Sequence, residues 1–542
     1  MNSPVHRLFD ARLEDLGPRT SDAGPRTSDA GPRTLRDSWR LTRETPSASP
    51  CSAPPPKPQS AVGWWVVGVF GRDKCPLSWE NRVCKQPIRL TQEGTVVVKP
   101  VSQSLGGFRV VFDDDRAVAS AGLVLPVTLG RRLGLDAALD ASVSGRDRRG
   151  DPNGSAKAMT LISSLLAGGE FISDVGMLHA GATRRVLGGD LMSSSRCGEW
   201  LRCLSNTDVS GLSLANNALL EAGWSRHLGP EITDPAVLII DVDGTHIDTF
   251  GVAKEGTRKR SYEGRYGYTP LVCAEASTGQ VIAGQLRTSN AAPARDAGSF
   301  LADTFTQLRA ITGPAKPVVL RADSGFYTKD VVDTCRRHNI RFSITMRLFP
   351  PIRRRIETID NTEWALTETA PNRQVHIAEI AYAMKGRSDS TPPVQCRLIV
   401  KRTTTSKDTG AAQTRLFDLV DYHAFITDQP GDAAGLAERH RQHAVIEATI
   451  RDLKHGMALN HMPSGSYLAN AGWLQLNIIA YNLALLTTRT ITNQTLRLKT
   501  IRHRYLTIPG RITTTARTTT LHLPTNWPWE HHYKTALNTL AA

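Results

Sequence analysis

The stretch Ala236-Val-Leu-Ile-Ile-Asp-Val-Asp-Gly-Thr245 decides the fold of this chain. It begins with a short, continuous apolar run and then turns acidic, which is typical of a buried strand in an α/β domain. Asp241 and Asp243 close the strand, and because they are two residues apart their side chains point to the same side. Ligands of an open α/β sheet collect beyond its strand ends, so this edge is the predicted functional site.

The residues after this stretch predict an α/β domain. In chain order the pattern predicts a hairpin over 271–286, a helix over 297–311, a strand over 317–320, a helix over 329–338 and a strand over 341–346. From 350 to about 422, short strands such as 374–381 and 395–401 predict a β-rich insertion. Helices return over 435–457 and 469–488.

The segment before the α/β domain has a helical pattern. Leu, Val and Ile recur at helical spacing over 121–139 and 155–167, which predicts a small, mostly helical domain. Its arginines form either a solvated face or a set of contacts to DNA phosphates, and both interpretations stay open. They are Arg131, Arg132, Arg184, Arg185 and Arg196.

Residues 1–95 differ from the rest of the chain. Gly-Pro-Arg-Thr begins at residues 17, 24 and 31, and the Gly-Pro pair in each seven-residue unit forbids the helix that a coiled coil would need. Pro and Ser dominate 47–58, a composition that cannot offset the entropy of ordering. We expect a disordered, low-complexity leader; translation from a start codon set too early is the alternative.

These patterns divide the chain into six segments. We expect the leader over 1–95, a mostly helical domain over 96–228 that is a candidate for DNA binding, a first part of an α/β core over 229–349, the β-rich insertion over 350–422, a second part of the core with the Glu447 helix over 423–490 and a basic tail over 491–542.

The amino-acid composition limits the kinds of partner that this chain is expected to bind. Lys and Arg total 66 against 51 Asp and Glu, a net charge of +15 that favours a polyanion such as the DNA backbone. No apolar run approaches the ~20 residues of a membrane-spanning helix, so no membrane partner is expected. The eight cysteines include no Cys-x-x-Cys pair, which indicates reduced thiols and a cytoplasmic protein, associated with the nucleoid when it binds DNA.

A single helix face is predicted to carry a cluster of charged groups. His440, His443, Glu447, Arg451 and Lys454 lie at offsets of −7, −4, 0, +4 and +7 from the glutamate, and these offsets share one face of a continuous helix. Apolar residues at 446, 450, 453 and 457 form the neighbouring stripe, which can dock on a sheet. An amphipathic helix with a solvated ion pair is the alternative.

Asp243, Asp323 and Glu447 together predict metal-dependent phosphodiester chemistry. Asp323 directly follows the second buried strand, so two strand ends and a helix could bring three carboxylates together. Two Mg²⁺ ions can neutralise charge on the attacking and leaving oxygens of a phosphodiester, and Mg²⁺ prefers a few carboxylates plus water and phosphate as ligands. Lys454 and Arg451 could then hold DNA phosphate beside the metal.

Five motifs in order resemble those of a known family. They are Leu-Ile-Ile-Asp-Val-Asp-Gly-Thr (238–245), Arg-Tyr-Gly-Tyr-Thr-Pro-Leu (265–271), Leu-Arg-Ala-Asp-Ser-Gly-Phe (320–326), Ile-Glu-Ala-Thr-Ile-Arg-Asp-Leu-Lys-His-Gly (446–456) and Ala-Tyr-Asn-Leu (480–483). The chain resembles, over roughly 96–490, the bacterial insertion-sequence transposases with a DDE catalytic domain, in the branch called transposase DDE domain group 1.

The resemblance implies an RNase H-like α/β fold, with a mostly helical domain before it and a β-rich insertion within it. It also implies DNA cleavage and strand transfer with two Mg²⁺ ions, or Mn²⁺ in their place. Asp243, Asp323 and Glu447 would bind the metal, with Asp241 as the rival for the first position. The residues expected to contact DNA are Lys454, Arg451, His443, His440, Arg321 and Trp364.

The chain departs from the related pattern at two positions of the glutamate helix. Relatives often show Tyr-x2-Arg-x3-Glu-x6-Lys, and here His440 and His443 replace the tyrosine and the arginine. Trp364 is the tryptophan of the predicted insertion, where some relatives place an aromatic residue near the transposon end; a packing role is the alternative. The expected partners are double-stranded DNA, as terminal inverted repeats and target, and a second copy of the chain.

Two other functions fit parts of the sequence. An apolar strand followed by Asp-x-Asp-Gly-Thr is also the opening motif of haloacid-dehalogenase-type phosphatases, in which Asp241 would be the nucleophile and Asp243 the acid and base. A phosphatase of this type would leave the helix that carries Glu447 and the net charge of +15 without a role. A catalytically inactive, DNA-binding transposase remnant is the second alternative.

Overall fold

The computed structural model describes residues 103–105, 108–143, 150, 153–232, 236–250, 253–259, 264–386, 392–405 and 419–541. These residues lie in one structural unit, Val98–Ala542. The expected leader over 1–95 and the three cysteines within it lie outside the described residues. The cysteines that are described, Cys197, Cys203, Cys273, Cys335 and Cys396, are free thiols.

The first part of the described chain is mostly helical, as predicted. Its strands are β1 (Gln103–Leu105), β2 (Phe108–Val110) and β3 (Ala117–Val118). Its helices are α1 (Val124–Arg132), α2 (Leu135–Ser142), α3 (Gly154–Ala167), α4 (Thr183–Leu187), α5 (Ser194–Cys203) and α6 (Asn206–Trp224), with 3₁₀ helices over Ala121–Leu123 and Ile172–His179.

The helix predicted over 121–139 is divided at Gly134. This glycine has a φ of 77°, a left-handed conformation that ends α1 and begins α2, and a side chain there would strain the backbone. The predicted helix over 155–167 is confirmed as α3. Helix α6 begins with a capping box in which Ser205 and Asp208 bind each other's backbone N–H groups.

A large mixed sheet forms the centre of the α/β part. Its first five strands in the chain are β4 (Leu238–Gly244), β8 (Leu271–Glu275), β9 (Val281–Gln285), β10 (Val318–Ala322) and β11 (Arg341–Met346). Three short strands, β5 (Ile247–Asp248), β6 (Arg258–Lys259) and β7 (Tyr266–Tyr268), form a separate small sheet. The strands of the predicted β-rich insertion are β12 (Ala365–Ala370), β13 (Arg373–Met384), β14 (Val394–Thr405) and β15 (Leu419–Thr427).

The nine strands run in the order β12-β13-β14-β15-β11-β10-β4-β8-β9. Strand β4 pairs in parallel with β10, and β10 in parallel with β11, so their carboxyl ends meet at one edge of the sheet. The other pairs are antiparallel. The insertion therefore extends the central sheet through β15, instead of forming a separate β layer.

The remaining α-helices of the described residues follow in the α/β part and in the C-terminal segment. They are α7 (Ala297–Thr312), α8 (Lys329–Arg337), α9 (Pro350–Glu357), α10 (Ala433–Arg441), α11 (Val445–Gly456), α12 (Tyr467–Ile491), α13 (Leu498–Ile501) and α14 (Glu530–Ala541). Helices α7 and α8 share one hydrophobic core with the sheet, and α12 lies in a second core with the N-terminal helices. The described part of the chain is thus a mixed α/β fold preceded by a mostly helical domain.

Helix α12 joins the helical part to the sheet through buried amides. The Asn482 amide nitrogen donates to Asn216 Oδ1 of α6 at 2.7 Å, and Asn482 Oδ1 accepts from the Val281 N–H of β9 at 2.8 Å. Asn216 in turn donates to the carbonyls of Val281 and Ile282. Because unpaired amides would be costly inside a core, this network fixes the position of α12 against α6 and β9.

The residues of the predicted basic tail are folded where the structure describes them. A π-helical turn over Arg502–Leu506 is followed by β16 (Gly510–Thr515) and β17 (Thr518–His522), and β16 pairs with β3 of the N-terminal part. Helix α14 packs on α12 and α1. Among the described residues, no single helix is long and apolar enough to cross a membrane, although α3 and the following 3₁₀ helix, bent by 86°, would suffice together by length and composition.

Candidate active site

Two of the predicted acidic residues lie at the carboxyl ends of neighbouring parallel strands. Asp243 is near the end of β4, and Asp323 comes directly after β10. Asp323 begins the 3₁₀ turn Ser324–Phe326, where its Oδ1 accepts a hydrogen bond from the Gly325 N–H at 2.9 Å. This cap fixes the position of Asp323 at the sheet edge, as the sequence predicted.

The pKa of Asp243 is changed by its surroundings. Its carboxylate is half-buried and accepts a hydrogen bond from the Gly244 N–H at 2.6 Å. Burial and the negative charge of Asp323 raise the pKa of Asp243 to about 6; Glu447 adds to the rise, while Gly244 and His443 oppose it. The three carboxylates predicted to form the site therefore act on one another electrostatically.

Helix α11 presents Glu447 beside this edge. Its apolar residues Ile446, Ile450 and Leu453 are buried, and the helix packs across β4 and β8. Glu447 lies in the first turn and is exposed to solvent. The amphipathic pattern of the sequence therefore predicted both the docking of this helix and the outward direction of its carboxylate.

The carboxylates do not form a closed metal site. In the part of the chain that the structure describes, no three His, Cys, Asp or Glu side chains are arranged as ligands of one metal ion. Carboxylate oxygens nevertheless match the ligands that Mg²⁺ prefers, and Mg²⁺ needs only one or two of them when water and substrate phosphate complete its shell. The raised pKa of Asp243 also identifies a place where negative charge is crowded and a cation would be stabilising.

Asp241 has a different environment from Asp243. Its carboxylate is 1% exposed and receives two hydrogen bonds from Arg321, at 2.7 and 2.8 Å, across the parallel pair of β4 and β10. His443 Nδ1 lies 3.1 Å from the same carboxylate. These partners engage both oxygens of Asp241, which favours Asp243 over Asp241 as the predicted first acid of the site.

Arg321 is likewise not a DNA contact. Its side chain is 2% exposed, and its remaining terminal nitrogen donates to the Arg439 carbonyl at 2.6 Å. The prediction that Arg321 binds DNA is therefore wrong, since the guanidinium is buried and paired. The pair instead connects two strands to the last turn of α10 and, through His443, to the segment that leads into α11.

The prediction of one continuous helix over 435–457 is wrong, because a 3₁₀ turn interrupts it. Helix α10 ends at Arg441, a 3₁₀ turn covers Gln442–Ala444, and α11 begins at Val445. The offsets that assumed a continuous helix therefore hold within α11, for Glu447 and Lys454, but not across the break.

His440 shows the consequence of this break. Its ring is buried, its two nitrogens lie 2.8 Å from Ser343 Oγ and 2.9 Å from Thr345 Oγ1 of β11, and it stacks on Phe425 at 4.2 Å. Burial, together with the positive charges of His423, His443 and Arg321, lowers the pKa of His440 to about 3. The prediction that His440 contacts DNA is wrong because the side chain belongs to the core.

Two basic side chains of α11 have different surroundings. Lys454 is half-buried, and its Nζ donates to Thr245 Oγ1 at 3.3 Å and to the His246 carbonyl at 2.9 Å. Burial lowers the pKa of Lys454. Lys454 thus binds the loop that follows Asp243, whereas Arg451 is exposed and stays a predicted DNA contact.

Comparison with known proteins adds a family to this geometry. The family model of transposase DDE domain group 1 matches residues 105–542. This chain belongs to that family. The match includes the strand ends, the extended sheet and α11, and it continues through the C-terminal residues beyond the range over which the motifs alone carried the resemblance.

The other comparisons add little to the family match. Among solved structures, a cryo-EM structure of the piggyBac transposase synaptic complex with hairpin DNA is similar over 72% of this chain and 79% of that chain, with 9% identity and a TM-score of 0.36. No curated protein matches the chain.

Trp364 of this transposase-family chain packs within the structure. It is 8% exposed, the Arg402 guanidinium lies 4.3 Å from the centre of its ring, and Tyr422 contacts it at a centroid distance of 6.1 Å. These contacts favour the packing alternative for Trp364 over a contact to DNA.

The network around Arg321 was missed from the sequence, although a signal for it existed. Arg321 interrupts the buried run Val-Val-Leu-Arg-Ala of β10, and a charge inside a buried strand needs a partner. The register pairs Arg321 with Asp241, which the sequence had assigned to chemistry. The position of a charge within a strand would have favoured a structural pair.

Proposed function

We propose that this member of the DDE family is an active DNA transposase that cleaves phosphodiester bonds at the ends of an insertion sequence and joins them to target DNA. The observation that carries the proposal is the environment of Asp243. Its pKa rises to about 6 because it is buried beside Asp323 and within the field of Glu447. Such crowding of carboxylates at a sheet edge is typical of a site that binds cations.

Asp243, Asp323 and Glu447 are the residues that would hold the metal, as two Mg²⁺ ions or Mn²⁺ in their place. Bound there, the metal would stabilise negative charge on the attacking and leaving oxygens of the phosphodiester. The protein's own contribution is positioning. The Gly325 N–H fixes Asp323, the Gly244 N–H orients Asp243, and α11 places Glu447 in its first turn.

Asp241 and Arg321 have a positioning role in this proposal. Their ion pair joins β4 to β10, and its contacts to the Arg439 carbonyl and to His443 hold the α10–α11 junction against the sheet. Since α11 begins only two residues after His443, the junction determines where Glu447 lies relative to Asp243. Lys454 secures the other end of the helix to the residues after Asp243.

The phosphatase alternative is not favoured by this geometry. It needs Asp241 as a free nucleophile, and that carboxylate is buried between Arg321 and His443. The alternative of an inactive, DNA-binding remnant makes a different prediction: DNA binding without metal-dependent cleavage.

The proposal includes its partners and its location. The basic chain would bind double-stranded DNA, both at terminal inverted repeats and at the target, and two copies would hold the two ends together. We propose that it acts in the cytoplasm on the nucleoid.

The test is a cleavage assay with DNA that carries the element's own ends. Wild-type protein with Mg²⁺ or Mn²⁺ should release 3′-OH ends, and EDTA should prevent this. Asp243→Asn, Asp323→Asn and Glu447→Gln should each abolish cleavage, while Asp303→Asn, an exposed acid on α7, should not. Full DNA binding with no cleavage by the wild type would instead support the inactive remnant and reject the proposal.

A further inference from the structure

The segment after β11 places Arg347, which has no role in the proposed function, near the candidate site. Strand β11 runs parallel to β10, so its carboxyl end lies at the same sheet edge as Asp323. Arg347 directly follows β11, is exposed, and has its Nε 3.5 Å from the Ser324 hydroxyl. Because Ser324 is the residue after Asp323, the Arg347 guanidinium lies beside a predicted metal ligand, with its terminal nitrogens available for a ligand.

A second arginine is held against the same segment. Arg353 of α9 is exposed, and its Nε donates to the Leu348 carbonyl at 3.2 Å, which directs it back to the loop that carries Arg347. Two prolines, Pro350 and Pro351, begin α9 and restrict the backbone that connects the two arginines. Neither contact uses the terminal nitrogens of these guanidinium groups.

The local charge is not cancelled by acidic neighbours. Glu357 lies four residues after Arg353 on α9, yet within the described ranges neither Arg347 nor Arg353 forms an ion pair with a carboxylate. Arg354, between Arg353 and Glu357, is exposed as well. The loop and the first turns of α9 therefore carry arginines that form no ion pair with a described carboxylate, and Arg347 lies beside Ser324 at the edge of the candidate site.

We infer that Arg347 and Arg353 form a phosphate-binding surface for the DNA strand that enters the candidate site. Guanidinium groups bind phosphate oxygens through two parallel hydrogen bonds, and such contacts set the register of DNA without reading its sequence. The surface rests on the proposed function, since DNA is the substrate it would hold. It assigns a role to Arg347 and Arg353, which lie outside the five motifs that carry the family resemblance.

The inference predicts a measurable loss of salt dependence. Each phosphate contact on duplex DNA contributes about 0.9 to the slope of log Kobs against log salt, which corresponds to about eightfold in affinity at 0.1 M salt. Fluorescence anisotropy of the full chain with a labelled duplex of arbitrary sequence, in EDTA, measures this slope without any cleavage. Arg347→Gln and Arg353→Gln should each lower the slope by about 0.9.

Matched variants separate this surface from a general loss of charge. Arg336→Gln removes the same charge from an exposed position on α8, where the side chain donates to the Gln395 carbonyl, and should leave the slope unchanged. Arg347→Lys keeps the charge and should keep the slope, and Arg347→Gln should give the circular dichroism spectrum of the wild type, which excludes misfolding as the cause of its loss of slope.

The outcomes distinguish the inference from the proposed function. Wild-type slopes in Arg347→Gln and Arg353→Gln, with salt-dependent binding by the wild type, would overturn the surface alone. A wild-type protein whose DNA binding does not depend on salt would overturn both. Equal losses of slope in Arg336→Gln and in the two test variants would show a general charge effect and would also overturn the surface.

Discussion

The Arg321 guanidinium donates two hydrogen bonds to the Asp241 carboxylate from the neighbouring parallel strand, at 2.7 and 2.8 Å, and both side chains are almost fully buried. Removing one partner of such a pair leaves an uncompensated charge in the core, whereas replacing both by apolar side chains can be nearly neutral. The pair therefore gives Asp241 a role in stabilising the contact between β4 and β10 beside the candidate site.

Asp241→Asn should lower the free energy of unfolding by about 3–5 kcal/mol, because Arg321 stays buried without a counter-charge. The double variant Asp241→Leu, Arg321→Met should lose less than this. Urea unfolding followed by circular dichroism measures both values. Asp303→Asn, at an exposed position, serves as the control, and a double variant less stable than Asp241→Asn would contradict the buried-pair account.

The raised pKa of Asp243 predicts the pH dependence of cleavage. Its carboxylate loses its proton near pH 6 instead of near 4, and only the charged form can bind a cation. At subsaturating Mg²⁺, cleavage should therefore fall as pH decreases through about 6, and higher Mg²⁺ should shift the midpoint to lower pH by competition with the proton.

The raised pKa of Asp243 also predicts how the free energy of unfolding depends on pH, and this can be measured without a cleavage assay. The folded protein holds the Asp243 proton up to about pH 6 while the unfolded chain releases it near 4, so this group's contribution to stability is present at low pH and lost as pH rises through that window. Asp243→Asn should abolish this loss. A pH profile of unfolding that is the same in wild type and variant would contradict the shift.

The lowered pKa of His440 predicts the opposite effect, a free energy of unfolding that falls as pH decreases. The unfolded chain takes up a proton at this histidine below about pH 6.5, but the folded protein, in which its pKa is about 3, does not. Wild-type stability should therefore fall relative to His440→Gln by about 1.4 kcal/mol for each pH unit below 6.5. Urea unfolding at several pH values tests this, with exposed His455→Gln as the control; parallel profiles would show that His440 is not buried and neutral.

Much of the fold could be predicted from local patterns. Strands β4 and β10 begin with short apolar runs, β11 alternates apolar and polar residues, and α7 and α8 have clear helical spacing, so the order of elements followed from the sequence. The docking of α11 was visible in its apolar stripe. What the pattern could not give was pairing: β12 to β15 carry strand signals, but their addition to the edge of the central sheet depends on long-range contacts.

The same limit applies to the candidate site: positions at the ends of elements could be predicted, but roles that depend on burial could not. Asp243, Asp323 and Glu447 stay predictions, and their places near the ends of β4 and β10 and in the first turn of α11 follow from elements whose position the sequence predicts. His440, Arg321 and Asp241 were misassigned because burial decides their roles. A 3₁₀ turn of three residues between α10 and α11 rotates His440 into the core, and no spacing rule signals such a turn.

The most direct test of the central claim is Mn²⁺ binding, followed by electron paramagnetic resonance, to the complex of the full chain with DNA that carries the element's ends. The account predicts that the wild-type complex binds Mn²⁺ that Mg²⁺ displaces. It predicts that Asp243→Asn and Glu447→Gln each weaken binding by more than about tenfold, since even changes beyond the ligands themselves cost that much. Asp303→Asn should bind as the wild type does. An unchanged affinity for Mn²⁺ in Asp243→Asn and Glu447→Gln would contradict the claim that these carboxylates hold the metal.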